Sequence, residues 1–144
     1  LIADLTHLRH MAASERSDGG RLADDPAFAA RIDEAEVELM ALEMIELRIM
    51  SALSKGGSPG PEASMIKVRG SEAMQKVTTL TMEAIGYYAA PFTIHDARQH
   101  NQQPVGPDYA PPAAPHYLNA RAGSIYAGTN EVQRDIMAKL VLGL

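Results

Sequence analysis

The chain has 144 residues, 46% of them hydrophobic, no Cys and a net charge of −5. Such a length is one domain with room for a real core; the missing thiols exclude a disulfide framework and a thiolate metal site and favour an intracellular, cytoplasmic location. The acidic balance leaves no basic stripe for nucleic acid, and no apolar run approaches the roughly eighteen residues of a membrane-spanning helix.

With two Phe, five Tyr, no Trp and eight Met, the core must be aliphatic and methionine-rich, and flexible thioethers suit helix packing. From Leu1 to about Glu15, residues Leu1, Leu5, Leu8, Met11 and Ala12 share one helical face, and Asp18-Gly19-Gly20 ends that element. Asp25-Pro26 is a start signal, with Asp as cap and Pro at the first helical position. Over residues 26 to 54 the apolar seam runs Phe28, Ile32, Ala35, Leu39, Leu42, Ile49 and Leu53, with Glu46 in one of its slots. A buried charge is costly unless paired, so Glu46 is expected to meet Arg48, Lys67 or Arg69. Gly56 to Gly60 breaks the pattern, and Pro61-Glu62 opens a third helix to Gly86 through Met65, Val68, Met74, Val77, Leu80, Thr81, Ala84 and Ile85. From Tyr87 to about Pro115 there are six prolines and no period, which predicts a long loop. A final helix begins near Asn130, with Val132, Ile136, Met137, Leu140 and Val141 at helical spacing.

These elements predict an all-α fold, an antiparallel four-helix bundle with a long Pro-rich loop before the last helix. The seam residues outnumber what a small bundle needs, so an apolar face is expected to be left for another subunit. The chain opens on Leu1 inside an apparent helix, and residues 1–144 are therefore expected to be the C-terminal helical domain of a larger protein.

The tail carries most of the chemical information. Gly128 and Thr129 supply a turn and a hydroxyl cap, Asn130 with Gln133 forms an approximate capping box, and Glu131 enters the helix. Such a helix start points N–H groups and partial positive charge at whatever precedes it, often a phosphate, although plain capping is the commoner case. His7 and His10 lie three apart on one face without a third metal ligand near in sequence, and His95, His100 and His116 fall in the loop without a recognisable partner.

The run Ile125-Tyr126-Ala127-Gly128-Thr129-Asn130-Glu131-Val132-Gln133-Arg134 resembles the C-terminal signature of the acyl-CoA dehydrogenases. These flavoenzymes desaturate acyl-CoA thioesters between the α and β carbons. Ala63 to Lys67, Ser71-Glu72-Ala73 and Met82 to Gly86 are similar to the third helix of that family's C-terminal bundle. Asp24-Asp25-Pro26 and the Pro-rich insert resemble the large subunits of pimeloyl-CoA dehydrogenase-like enzymes. The resemblance implies FAD as cofactor, an acyl-CoA substrate, a homo- or hetero-oligomer (dimer or tetramer) and an electron-accepting flavoprotein. It implies that Arg16 reaches across a subunit contact to the FAD pyrophosphate, that Gly86, Thr129, Asn130 and Glu131 contact FAD, and that Tyr126 and Gly128 line the acyl thioester site. Three departures matter. The family's Phe after Arg16 is absent, and Tyr87-Tyr88 replaces further glycines after Gly86, so a helix cap competes with the cofactor contact there; Glu83 stands where many members have Gln, and a carboxylate cannot donate to a phosphate.

The family's general base is a Glu where this chain has Ala127. A methyl group cannot accept a proton, so the chain contributes no catalytic residue at that position. The base is expected on the helix preceding the long pair, mostly before Leu1, or in a partner subunit's own site. The alternative is a non-catalytic subunit or assembly domain of a heteromeric acyl-CoA dehydrogenase. A third reading, independent of the resemblance, is a helical interaction module.

Overall fold

The computed structural model describes residues 1–91 and 105–143. In chain order it contains α1 (Ile2–Ser14), β1 (Arg16–Ser17), β2 (Gly20–Arg21), α2 (Pro26–Ser54), α3 (Glu62–Ile85), α4 (Ala113–Arg121) and α5 (Asn130–Leu142). The all-α fold stands. The two strands are a minimal antiparallel ladder, Arg16 opposite Arg21 and Ser17 opposite Gly20. Asp18 and Gly19 turn it with φ of 48° and 86°, the left-handed pair that an Asp-Gly hairpin turn takes. The stretch expected only to end the first helix is thus a hairpin.

Helix α2 starts as its sequence dictates: the Asp25 carboxylate accepts from the Ala27 N–H, and Pro26 sits where a missing N–H costs nothing. It packs antiparallel on α3, since Arg31 meets Glu83 while Glu38, further along, meets Lys76. Helix α3 is the hub and touches α1, α2, α4 and α5. Leu5, Leu8, Ala12, Phe28, Ile32, Ala35, Val77, Leu80 and Ala84 form the main core among α1, α2 and α3. A second cluster, Met11, Ile85, Ala89, Ala110 and Ala113, closes the C-terminal end of α3. Arg9 pairs with Asp33 and Glu36 at the rim of the main core.

Several expectations need correction. The seam of α2 is buried only through Ala35; Leu39, Leu42 and Ile49 are half-buried and Leu53 is 40% exposed, as the cover over α2 thins toward its distal end. Glu46 consequently lies in solvent and bears no desolvation cost, while Lys67 bonds Asn130 and Arg69 bonds Glu72. Met65 is exposed as well. The segment read as loop up to Pro115 contains the start of α4, a helix that was not expected; Pro112 caps it and Pro115 occupies its first turn, where no N–H partner is needed. His116 is therefore helical. His95 and His100 lie outside the described residues. The outer side of distal α2 carries Val37, Met40, Met44, Leu47 and Met50, each more than half exposed, which is the open apolar face that the surplus of seam residues implied.

Leu8 is fully enclosed and Met44 is not. Leu8→Ala should lower unfolding free energy by about 2–5 kcal/mol, and Met44→Ala should change it by less than about 0.5 kcal/mol in the dissociated chain. Urea unfolding followed by circular dichroism checks this, and equal losses would contradict the assigned core.

Candidate functional site

The residues singled out in the tail lie on a short segment held against α3. Arg121, at the end of α4, donates from Nη2 to the Gln75 carbonyl (2.9 Å) and to Thr78 Oγ1 (3.0 Å), and its guanidinium lies 4.3 Å from the centre of the Tyr117 ring. Gln75 Nε2 returns to the Ala120 carbonyl (3.2 Å) and Ser124 Oγ (3.3 Å). A 3-10 turn, Ala122–Ser124, follows, and then Tyr126, Ala127 and Gly128 project outward, all exposed.

Ala127 has φ 55° and Gly128 φ 88°, two consecutive left-handed residues. That conformation is natural for Gly and costs an Ala about 1–2 kcal/mol. Gly128 is favoured by its φ, and a Cβ there would stand 2.6 Å from Nε2 at the flexible end of the Gln133 side chain, which would have to move aside. Gln133 thus lies over the turn. The capping box drawn between Asn130 and Gln133 does not form. Thr129 is the cap, its hydroxyl accepting from the Val132 N–H at 3.2 Å.

Asn130 is instead 4% exposed and faces α3. Lys67 Nζ donates to its Oδ1 at 2.8 Å, and its Nδ2 donates to Ser71 Oγ at 3.0 Å. The single Ser71 proton then goes to the Val68 carbonyl at 2.8 Å, which completes a consistent assignment of donors. Glu131 points away from this contact. Its own backbone N–H, then the Thr129 hydroxyl and the charges of Arg134 and Lys67, hold its carboxyl below the usual range, so the first turn of α5 already carries an anion of its own.

Arg16 and Gly86 occupy the other end of α3. Gly86 is the C-cap of α3 with φ 59°, as the cap reading expected, and Tyr87 beyond it is 97% exposed. Arg16 is exposed on β1, one residue after Glu15 and five after Met11, which packs against Ile85. Glu15 accepts from the Tyr109 hydroxyl at 2.5 Å, and the His7 ring packs edge-on against Tyr109. From Ser71 to Gly86 is about 22 Å along α3 at about 1.5 Å per residue. Thr129, Asn130, Glu131, Tyr126 and Gly128 are therefore brought together, whereas Arg16 and Gly86 form a separate group. Glu83 is tied to Arg31 by a two-pronged pair at 2.5 and 2.8 Å.

Both groups suit the phosphates of a dinucleotide. Arg16 offers an exposed guanidinium, and α5 offers the N–H groups of its first turn. The exposed Glu131 side chain has to swing aside for an anion to reach that turn, at little packing cost. Lys67, Ser71, Gln75 and Thr78, which hold the segment, were not singled out from sequence for this purpose; the signal was there, polar side chains at steps of four, four and three along one face of an otherwise apolar helix.

A family model described as acyl-CoA dehydrogenase, C-terminal domain, matches residues 3–142. Acyl-CoA dehydrogenase IpdE1 of Mycobacterium tuberculosis is 30% identical over 122 residues, which is 85% of this chain and 28% of that protein. The solved ChsE4-ChsE5 complex from Mycobacterium tuberculosis matches with TM-score 0.76 and 26% identity, covering 99% of this chain and 35% of that one. The glutaryl-coenzyme A dehydrogenase glutaryl-CoA complex shares the fold at TM-score 0.75 and 20% identity, over 99% of this chain and 32% of that one. The chain thus spans about a third of the length of these relatives.

Two outcomes follow from the geometry. Ala127→Gly should raise stability by about 0.5–1 kcal/mol through relief of the left-handed strain, while Gly128→Ala should lower it by about 1–2 kcal/mol; paired thermal unfolding curves check the signs, and a destabilising Ala127→Gly would contradict the turn geometry. Burial first, and then the bond to the Glu15 carboxylate, push the Tyr109 phenol from 10.0 up to about 12. Folding then retains a proton that the unfolded chain releases, so this contribution to stability is complete below pH 10 and is lost as pH rises toward about 12. In an ultraviolet tyrosinate titration one of the five tyrosines should lag, and Tyr109→Phe should remove the lag. Five tyrosines titrating together would contradict the contact.

Proposed function

The chain belongs to the acyl-CoA dehydrogenase family, matching its C-terminal domain, and from that premise we propose that it is the helical C-terminal domain of a larger FAD-dependent protein that desaturates an acyl-CoA thioester between its α and β carbons. The observation that carries the reading is the exposed Tyr126-Ala127-Gly128 turn set immediately before a capped helix start. In this reading Tyr126 and Gly128 line the thioester site. The backbone N–H groups of Asn130 and Glu131 in the first turn of α5, beside Thr129, hold one end of a dinucleotide once the Glu131 carboxylate has swung aside. Arg16 and Gly86, about 22 Å away along α3, serve the cofactor of a neighbouring subunit. When bound, the flavin accepts the hydride that leaves the β carbon. The apolar outer face of α2 supports assembly with another subunit, and a solved relative is itself a complex of two differently named chains. The remaining walls of the flavin site belong to N-terminal helical and β domains outside residues 1–144, and an electron-accepting flavoprotein completes the cycle.

Position 127 decides how the α proton leaves. Ala127 holds no proton acceptor, and Glu131 is engaged with its own N–H and with Thr129. By the family resemblance the base is a carboxylate on the helix preceding α2, most of it before Leu1, or it stands in a partner subunit's own site. The second possibility makes this chain a non-catalytic subunit that keeps the bundle for assembly and cofactor retention, and the loss of the carboxylate from the turn favours it.

The chain alone should purify colourless, because it carries only one wall of the flavin site; a stoichiometric yellow chromophore surviving gel filtration would refute this. In the full-length protein with its partner, Ala127→Glu should alter turnover by less than about tenfold if an upstream carboxylate is the base. It should raise turnover by about 10² to 10⁴ if this site has none. Activity that survives removal of every upstream carboxylate on that helix, yet is abolished by Glu131→Ala with FAD retained, would overturn the assignment.

A further inference from the structure

Within the segment 122–129, Ala122–Ser124 lie half-buried against α3, where Gln75 bonds Ser124, and the Gln133 side chain lies over Gly128, but residues 125–128 are exposed and bury nothing that accounts for their conformation. Tyr126, Ala127 and Gly128 are exposed, and Ala127 holds a left-handed conformation that a non-Gly residue keeps only where its surroundings enforce it. The enforcement has to enter through the ends of the segment. At one end Arg121 and Gln75 exchange hydrogen bonds across α4 and α3, with Thr78 as a second acceptor. At the other end Asn130, nearly fully buried, takes a charge-assisted bond from Lys67 and donates to Ser71. Lys67, Ser71, Gln75 and Thr78 lie on one face of α3, so the spacing between the two anchors is set by a rigid helix. The chain between them has to bulge outward, and its tip is residues 126–128.

The amide of Asn130 alone would not fix this end. A buried amide without a charged donor has alternative rotamers and can exchange partners, whereas an ammonium at 2.8 Å from Oδ1 dictates which way the amide is turned. Lys67 is a cation beside the partial positive charge of the α5 N-terminus, a position that the Glu131 carboxylate in the same turn partly offsets. A position unfavourable to the helix dipole is tolerable when the bond it makes is worth more than the repulsion.

We propose that Lys67 is a positioning residue that acts through Asn130 to hold the Tyr126–Gly128 turn in its left-handed form and so sets where position 127 stands toward an acyl thioester. The last clause rests on the function proposed above; the control of the turn does not.

The experiment is amide hydrogen exchange on the full-length chain carrying Lys67→Met, which keeps the length and apolar stem of the side chain and removes the ammonium. Loss of one charge-assisted bond should accelerate exchange at residues 125–130 by about tenfold, while amides of α3 from Ala73 to Leu80 stay unchanged. In an Ala127→Gly background the same substitution should accelerate exchange clearly less, because a glycine needs no enforcement at that φ. Asn130→Ala, which removes the acceptor, should reproduce the effect of Lys67→Met, and the two together should add little. Unchanged exchange at 125–130, acceleration spread evenly over α3 and α5, or full additivity with Ala127→Gly would each overturn the proposal. In the assembled protein, Lys67→Met should raise KM for acyl-CoA with flavin content unchanged. A wild-type protein that binds no acyl-CoA would sink the functional reading and leave the exchange result to decide the role of Lys67.

Discussion

Helix α3 is buried on two opposite faces, and the different chemistry of those faces organises the molecule. Val77, Leu80 and Ala84 make one face, which meets α1 and α2 through an apolar core flanked by the exposed Arg31–Glu83 and Lys76–Glu38 pairs. The other face presents Lys67, Ser71, Gln75 and Thr78 to α4 and to the start of α5. Apolar contact is non-directional and tolerates small shifts, whereas a buried hydrogen bond is lost with a shift of an ångström or less. The first face therefore makes the bundle stable, and the second places the tail. A buried polar face is costly unless every group finds a partner, and here Asn130, Arg121 and the carbonyls at the end of α4 supply those partners.

This division explains why the chemistry of the domain sits on a turn that contributes almost nothing to the core. Tyr126, Ala127 and Gly128 are free to face a ligand because the residues flanking them carry the attachment. It also explains how a methyl group can occupy position 127: the left-handed conformation there is imposed by its neighbours. The Arg16 and Gly86 group and the α5 start lie about 22 Å apart along one rigid helix.

Much of this was legible in the residues. The bounds of α2 follow from Asp25-Pro26 and from the Gly56 to Gly60 break, and the buried face of α1 is the one its spacing implied. Thr129 as a hydroxyl cap and Gly86 as a helix end were also readable. Helix α4 was not, because its buried contacts are Ala113 and Ala120 and its first turn contains Pro115; small residues and proline leave no apolar period to read. The role of Asn130 was misread because a cap and a buried anchor use the same residue type, and only the partner across space, Lys67, tells them apart. Glu46 was placed in a seam whose period continues past the point where α1 stops covering it; periodicity reports which side faces the bundle and says nothing about whether a neighbour is there.

The most direct test of the account is the structure of the full-length protein with its partner, FAD and an unreactive acyl-CoA analogue. The account predicts flavin phosphates at the start of α5, Arg16 directed at a different flavin, and, as the carboxylate nearest the analogue's α carbon, a residue outside 1–144. A carboxylate of this domain in that place, or an analogue bound away from the Tyr126–Gly128 turn in every subunit, would contradict it.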